Sequence, residues 1–281
     1  MTKIFKKNKI LIPMSAIVLM ILSIAVQGII INILPENILS SEKSLTIVSI
    51  LVKSLFAVII AFITLKLYKI KIEFGKNNLV KGIFWYGIVL CIACVFNIIG
   101  SYQKPEISLL QALPMLILFL VDCIGVGFYE EILYRGLIFN SLKKYFGENK
   151  KGIYASVILS ALVFGGYHLA NLFVHPDLVI STISQFIYAS FVGVLFAVIY
   201  YRSKNILPCI ILHTIFDFAS YIWICFSKNI DQMMNTVNTT DSDIVSALVI
   251  IGLCSTFLIS GLCQLRKVFK NKEVNSIKDK K

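Results

Sequence analysis

Charged side chains are scarce in this sequence. They make up 15% of 281 residues, and 58% of the chain is apolar; an ordinary soluble domain has about 25% charged and about 45–50% apolar residues. A water-soluble chain of this size could not hide so much hydrocarbon. So little charge on so apolar a chain excludes disorder, and no internal repeat or low-complexity stretch suggests a fibrous protein. There is no soluble domain either, since the longest polar segment is only 227–243. Cysteines do not suggest a disulfide framework: seven is an odd number, and each lies in an apolar run. Acidic residues are outnumbered, 15 Asp and Glu against 27 Lys and Arg, for a net charge of +12. That excess suggests a polyanion partner only until its distribution is read.

What is present is a series of long apolar runs. A helix needs roughly 20 mostly apolar residues to cross the hydrocarbon layer. Eight runs qualify: 10–34, 45–67, 79–100, 109–140, 153–173, 179–200, 206–226 and 246–265. The first follows Lys3, Lys6, Lys7 and Lys9 but outruns a signal-peptide core and lacks a small-x-small cleavage site, so it reads as a retained helix. Segments 1–9, 66–81, 142–151, 201–205 and 264–281 carry 4, 5, 4, 2 and 7 Lys or Arg, 22 of the 27. The alternate loops hold only Lys43, Lys104 and Lys228. The positive-inside rule then puts both termini in the cytoplasm. The basic balance reports topology and leaflet contact, and a nucleic-acid partner is not expected.

Ionisable residues inside a membrane span are costly and point to function. Eight occur: Lys53, Asp122, Glu130, Glu131, Arg135, His168, His213 and Asp217. Lys53 stands by itself in the first three spans, and its stem can reach toward an interface. The other seven fall in spans four, five and seven. Glu131 and Arg135 are four residues apart, so they share a helical face and can neutralise each other. Glu130 lies about 100° around that helix, without a partner of its own. A lone carboxylate in low dielectric suits proton exchange near neutral pH, as a general base or acid. The bland alternative is a hydrogen-bonded acid and an ion pair that hold helices together. Span five carries Phe164-Gly165-Gly166-Tyr167-His168, whose glycines allow close approach of a backbone or a substrate. In span seven His213 and Asp217, again four apart, let the carboxylate orient the imidazole or let both face one ligand.

Depth follows from the rise of ~1.5 Å per residue. Glu130 falls ~18 Å before the cytosolic end of span four, His168 ~22 Å into span five, and His213 and Asp217 ~10–17 Å into span seven. Three helices thus deliver their polar groups to a similar layer, nearer the cytosol than the outside.

These residues, Glu-Glu-x-x-x-Arg at Glu130, Glu131 and Arg135, Phe-x-x-x-His at Phe164 and His168, and His-x-x-x-Asp at His213 and Asp217, resemble the CPBP family. That family comprises intramembrane proteases related to the type II CAAX prenyl endopeptidases and includes bacteriocin-immunity homologues. The resemblance covers spans four to seven, with the motifs in the family's order. One departure is Asp217, where the prenyl endopeptidases carry Asn; bacterial-type members accept Asp, so it bears on CAAX substrates more than on activity. The resemblance implies peptide-bond hydrolysis inside the membrane. Glu130 would activate water with help from His168, His213 and Asp217 would polarise the scissile carbonyl, and Glu131 with Arg135 would hold the geometry. Asp217 can donate only when protonated, so orienting His213 suits it better. No cofactor is required on this reading, but zinc held by Glu130, His168 and His213 is a second one, because two histidines and a glutamate form a catalytic ligand set.

Other intramembrane chemistries lack their residues. The chain has no His-Glu-x-x-His, no Gly-x-Ser-x-Gly, and no Asp in Gly125-Val126-Gly127-Phe128. Cys91 and Cys94 read as apolar packing, Trp85 and Trp223 as interface anchors, and His175 as a loop residue. Asp122 bonds a neighbouring helix or borders the cavity, and Asn171, three residues after His168, is placed to bond it. The expectation is an all-α, multi-pass protein of the cytoplasmic membrane with about eight spans. It divides into helices 1–3 at 1–108, a catalytic core at 109–226, and an outer loop, last helix and basic tail at 227–281. The expected function is an endopeptidase acting on a membrane-associated peptide or protein, in peptide maturation or bacteriocin immunity, with membrane lipid and substrate as partners. The rival readings are a non-catalytic immunity or scaffold protein using the same cavity, and a proton-relaying transporter, which predicts polar groups on both sides of the midplane.

Overall fold

In hydrocarbon every backbone N–H and C=O must be satisfied within the protein, which leaves an apolar run little choice but helix. The computed structural model describes residues 9–35, 38, 41–75, 78–230 and 241–278, and among these there is helix but no strand. The basic residues before Lys9 and the middle of the polar segment 227–243 lie outside the described residues. The helices are α1 (Leu11–Asn32), α2 (Glu42–Lys66), α3 (Ile88–Gly100), α4 (Leu109–Glu131), α5 (Lys150–Tyr167), α6 (Val179–Ser203), α7 (Leu207–Tyr221) and α8 (Ile244–Lys278). Seven helical stretches are long and apolar enough to cross a membrane, and an eighth is counted if a bent pair is one span. This is a polytopic membrane protein.

The bent pair is the one departure from the eight expected spans. Residues 79–100 do not run straight: Leu79–Tyr86 meets Ile88–Gly100 at 65°. Gly87 at the elbow lies so close to Leu212 of α7 that a Cβ there would collide with its Cδ1, and would sit 2.7 Å from the Ile83 carbonyl. A side chain would force the elbow off α7. A second irregularity follows Glu131, where α4 widens into a π-helical stretch, Ile132–Phe139, before continuing as Asn140–Phe146. Asn140 repairs part of the disturbed ladder by donating from Nδ2 to the Gly136 carbonyl at 3.0 Å. Such π segments recur at functional sites.

The core is built around α6. Two thirds (67%) of its apolar window is buried, against 11–17% for α1, α2 and α8, so it is the pole of the bundle, while those three offer leucine, isoleucine and valine to lipid. It packs against α5 on one side and α8 on the other; α4 packs on α2 and α7, and α7 on α3. The N-terminus of α6 is capped from a distance. Asp241 accepts from the backbone N–H of Ile180 (3.1 Å) and Ser181 (2.8 Å). The Ser181 side chain and these N–H groups hold its carboxyl below the usual carboxylate range.

The 22 basic residues put α1, α3, α5 and α7 on course from the basic end and the other four back toward it. Single cysteines at Lys151 and Asn229 should therefore label from opposite faces of the membrane, the first from the cytosol and the second from outside. The reverse result would overturn the positive-inside orientation.

Candidate active site

The ion pair foreseen between Glu131 and Arg135 is present at 2.8 Å, with both side chains essentially without exposure, 0% and 2%. A guanidinium at this depth needs more than one carboxylate. Arg135 Nη2 donates to the Gly193 carbonyl of α6 at 3.3 Å, and its Cζ lies 4.6 Å from the Phe164 ring centroid and 4.9 Å from that of Phe196. Cation–π contacts of this kind strengthen when water is excluded. Arg135 thus ties α4 to α5 and α6.

Glu131 does a second job. Its Oε1, which already accepts from Arg135, lies 2.8 Å from His213 Nδ1. With a carboxylate there, Nδ1 carries the proton and donates it. The other oxygen, Oε2, is buried without a hydrogen-bond partner among the described residues. The imidazole is also fixed from its face, stacked on Phe196 with centroids 5.3 Å apart and planes 21° apart, and from its edge by Phe164 at 6.1 Å. The sequence pattern had favoured Asp217 as the group that orients His213. Structure assigns that place to Glu131, because Nδ1 faces α4 while Asp217, one turn further along α7, reaches only the far nitrogen.

That far nitrogen is where the remaining acids gather. His213 Nε2 is 3.5 Å from Asp217 Oδ2 and 3.7 Å from Glu130 Oε2. Three carboxyl groups, one guanidinium and one imidazole share this volume. If all three acids are ionised and the imidazole is protonated, the sum is one negative charge; one more proton makes it neutral. The cluster meets open space at Asp217, whose side chain is 33% exposed.

His168 is less tightly tied. It stands in a short 3-10 turn, His168–Ala170, directly after α5. Its ring packs edge-on against Phe164 at 5.8 Å and tilted against Tyr167 at 5.3 Å. Phe164 thus contacts both histidine rings, and among the described residues no hydrogen bond joins His168 to Glu130. The preceding glycines divide the two tasks foreseen for them. Gly165 is pressed onto α6, where a Cβ would collide with Ser190 Oγ and the Phe186 carbonyl, whereas nothing lies within 4 Å of one on Gly166.

Two further residues differ from expectation. Lys53, read as reaching toward an interface, pairs instead with Asp122 at 3.8 Å, and Ser49 Oγ donates to the same carboxylate at 2.9 Å. Pairing across α2 and α4 costs less than two separate charges in hydrocarbon, and it answers which neighbour Asp122 bonds. Asn171 Nδ2 donates to Gln185 Oε1 at 3.0 Å, not to His168. Sequence reasoning also missed the Phe196 and Gly193 contacts, for which an apolar run on α6 carries no signal. Nor does it reveal that Tyr129 is held by Ser23 and Gln27 of α1, at 2.9 and 2.8 Å. As for metal, Glu130, His168 and His213 do not converge on one point, and among the described residues no three His, Cys, Asp or Glu side chains form a metal-holding group.

The protein is thus a multi-pass helical one with three acids and an imidazole gathered in its interior. Residues 112–219 match the family model described as type II CAAX prenyl endopeptidase Rce1-like, and this segment holds all three motifs. Neither the curated proteins nor the solved structures give a significant match. The match supports, at family level, an intramembrane endopeptidase, a protease.

Breaking the central pair should cost stability as well as geometry. Glu131→Gln or Arg135→Ala leaves a buried charge without its partner, a cost of about 3–5 kcal/mol, and should sharply lower the yield of folded protein in detergent. Glu130→Gln, next in the sequence but outside that pair, should leave the yield near wild type. Equal loss in all three would show that the pair has no special structural weight.

Proposed function

We propose that the protein resides in the cytoplasmic membrane and hydrolyses a peptide bond in a membrane-associated peptide or protein by glutamate-activated water. The observation that carries this reading is the placing of Glu130 and Asp217 on the free nitrogen of an imidazole whose other nitrogen is held by Glu131. Glu130 takes a proton from water as the water attacks the scissile carbonyl carbon. Protonated His213 offers Nε2–H to the carbonyl oxygen as it becomes an oxyanion, and its fixed ring makes that donation preorganised. Asp217 balances the charge of the imidazolium at its outer side. Glu130 then returns its proton to the leaving amine, and the tetrahedral intermediate collapses to acid and amine. His168, whose ring shares the Phe164 contact with His213, helps position the water. Arg135 takes no proton; it fixes Glu131. No step is routed through a metal, since the donor set does not converge. Processing of a small exported peptide, or removal of a bacteriocin as self-immunity, is the setting the family resemblance favours.

Glu130→Gln keeps the shape and loses the base. Cleavage of a membrane-embedded reporter peptide should fall by roughly 10²–10⁴-fold while the protein remains folded. Wild-type cleavage by that variant would sink the mechanism. Protection against a toxin that depends on Glu130 while no peptide is ever cut would favour a binding protein instead.

The metal question has its own measurement. Purified protein treated with a strong chelator, then checked by elemental analysis, should retain cleavage activity. Stoichiometric zinc lost together with activity and thermal stability would overturn the metal-free scheme, because a ligand bound to the native state stabilises it.

A further inference from the structure

The first arm of the bent pair, Leu79–Tyr86, leaves the line of α3 at 65°. Eight residues rise at most ~12 Å, so at that angle the arm climbs only ~5 Å along the α3 axis. The polar layer on each face of a bilayer is of similar thickness, roughly 5–7 Å. The arm therefore fits within one interface. Its neighbours say which one. Gly82 sits so close to Pro208, in the first turn of α7, that a Cβ would collide with the proline ring, and Asn78 Nδ2 donates to the Ser203 carbonyl at 3.4 Å. Ser203 lies in the basic segment 201–205, and the arm itself follows on from segment 66–81, which has five Lys against one acid, Glu73. This is the basic end of the bundle.

The two faces of the arm have different surroundings. On one, Gly82 and Gly87 are pressed onto Pro208 and Leu212 of α7. Tyr86 is fixed from α6 and α8: the Arg202 guanidinium lies 3.9 Å from its ring centroid, and Gln264 Nε2 donates to its carbonyl at 2.8 Å. The opposite face is open, with Val80, Phe84 and Trp85 exposed by 68%, 61% and 73%. Val80 and Phe84 stand four residues apart, as do Lys81 and Trp85, so an apolar row and a cationic, aromatic row run side by side. With Asn78 and Leu79 these side chains line a groove of about 570 Å³. Lys81 is exposed, and among the described residues its ammonium group has no ion-pair or hydrogen-bond partner.

We propose that this groove binds an anionic phospholipid of the leaflet at the basic end, with its phosphate on Lys81 and an acyl chain along Val80 and Phe84. The site is independent of the chemistry at His213. Large apolar side chains exposed at an interface meet lipid, and tryptophan suits this level because its ring is apolar and its N–H polar. The apolar row by itself would accept any lipid, and charge selects among them. An ammonium group with no acid beside it is neutralised by a ligand of net negative charge, and 22 of the 27 Lys and Arg draw such lipids to this face. A zwitterionic headgroup carries its own cation next to its phosphate, so it gains less. A second copy of the chain fits poorly: two-fold pairing through this face sets Lys81 near its own mate, like charge against like.

The chain has two tryptophans, Trp85 and Trp223, so Trp223→Phe leaves Trp85 to report on its own groove. Bromine on an acyl chain quenches tryptophan fluorescence on contact. The full chain is reconstituted in phosphatidylcholine with one fifth phosphatidylglycerol, the bromine carried either by the phosphatidylglycerol or by an equal amount of the phosphatidylcholine. The two bilayers have the same composition, so ordinary lipid contact quenches equally in both. Trp85 should be quenched at least twofold more by brominated phosphatidylglycerol, and Lys81→Gln should remove that difference while quenching persists. Trp85→Phe, which reads Trp223 instead, should show no preference. Equal quenching of Trp85 by the two lipids overturns the proposal, as does a preference that survives Lys81→Gln or appears equally at Trp223. No quenching by either lipid also overturns it and gives the groove to a protein partner. Trp223→Phe loses the bond from Nε1 to the Ile98 carbonyl at 2.7 Å; should that variant fail to fold, native mass spectrometry on the two-tryptophan chain decides. Lys81→Gln should then carry one bound phosphatidylglycerol fewer than wild type, and equal numbers overturn the site.

Discussion

A guanidinium carried into hydrocarbon imposes more on this structure than any other group. The cost of withdrawing such an ion from water is several kcal/mol even after the protein relaxes, and Arg135 is 2% exposed. Every direction around it is therefore occupied by something that lowers that cost. Glu131 supplies charge, Gly193 a carbonyl, and Phe164 and Phe196 their ring faces. Because these partners come from α4, α5 and α6, satisfying one side chain fixes three helices at one height.

The reactive geometry follows from that arrangement. Glu131 accepts from Arg135 and His213 through the same oxygen, and the rings that cover Arg135 also cover the imidazole. His213 has no freedom left to turn, so its free nitrogen points where Glu130 and Asp217 stand. Preorganisation of this kind places donors and acceptors before the substrate arrives, which is where most electrostatic catalysis originates. The ion pair is thus scaffold and site at once, because the scaffold's carboxylate is also the group that orients the imidazole.

A second ion pair, Lys53 with Asp122, shows the same economy at lower cost. It joins α2 to α4, and both side chains keep partial exposure, 29% and 19%. A partly wet pair loses less on burial than a dry one and needs fewer additional partners. Asp122 accordingly has Ser49 and Lys53, where Arg135 requires a full shell.

How far the sequence went by itself can be judged residue by residue. Length of apolar run and the placing of lysines are local properties, so the helical class, the spans and the ion pair four residues apart within α4 were legible in the chain. The three motifs were legible too, because unpaired charge in an apolar run is conspicuous wherever it stands. What the chain could not state was which groups meet across helices. Nδ1 of His213 is held by Glu131, which leaves Asp217 on Nε2, and Lys53 pairs with Asp122, since side-chain partners on different helices depend on rotation and depth, which no spacing encodes. The elbow at Gly87, the π-helical stretch after Glu131 and the burial of α6 were likewise decided by neighbours. An apolar run looks the same whether it faces lipid or protein, and only tertiary packing distinguishes the two.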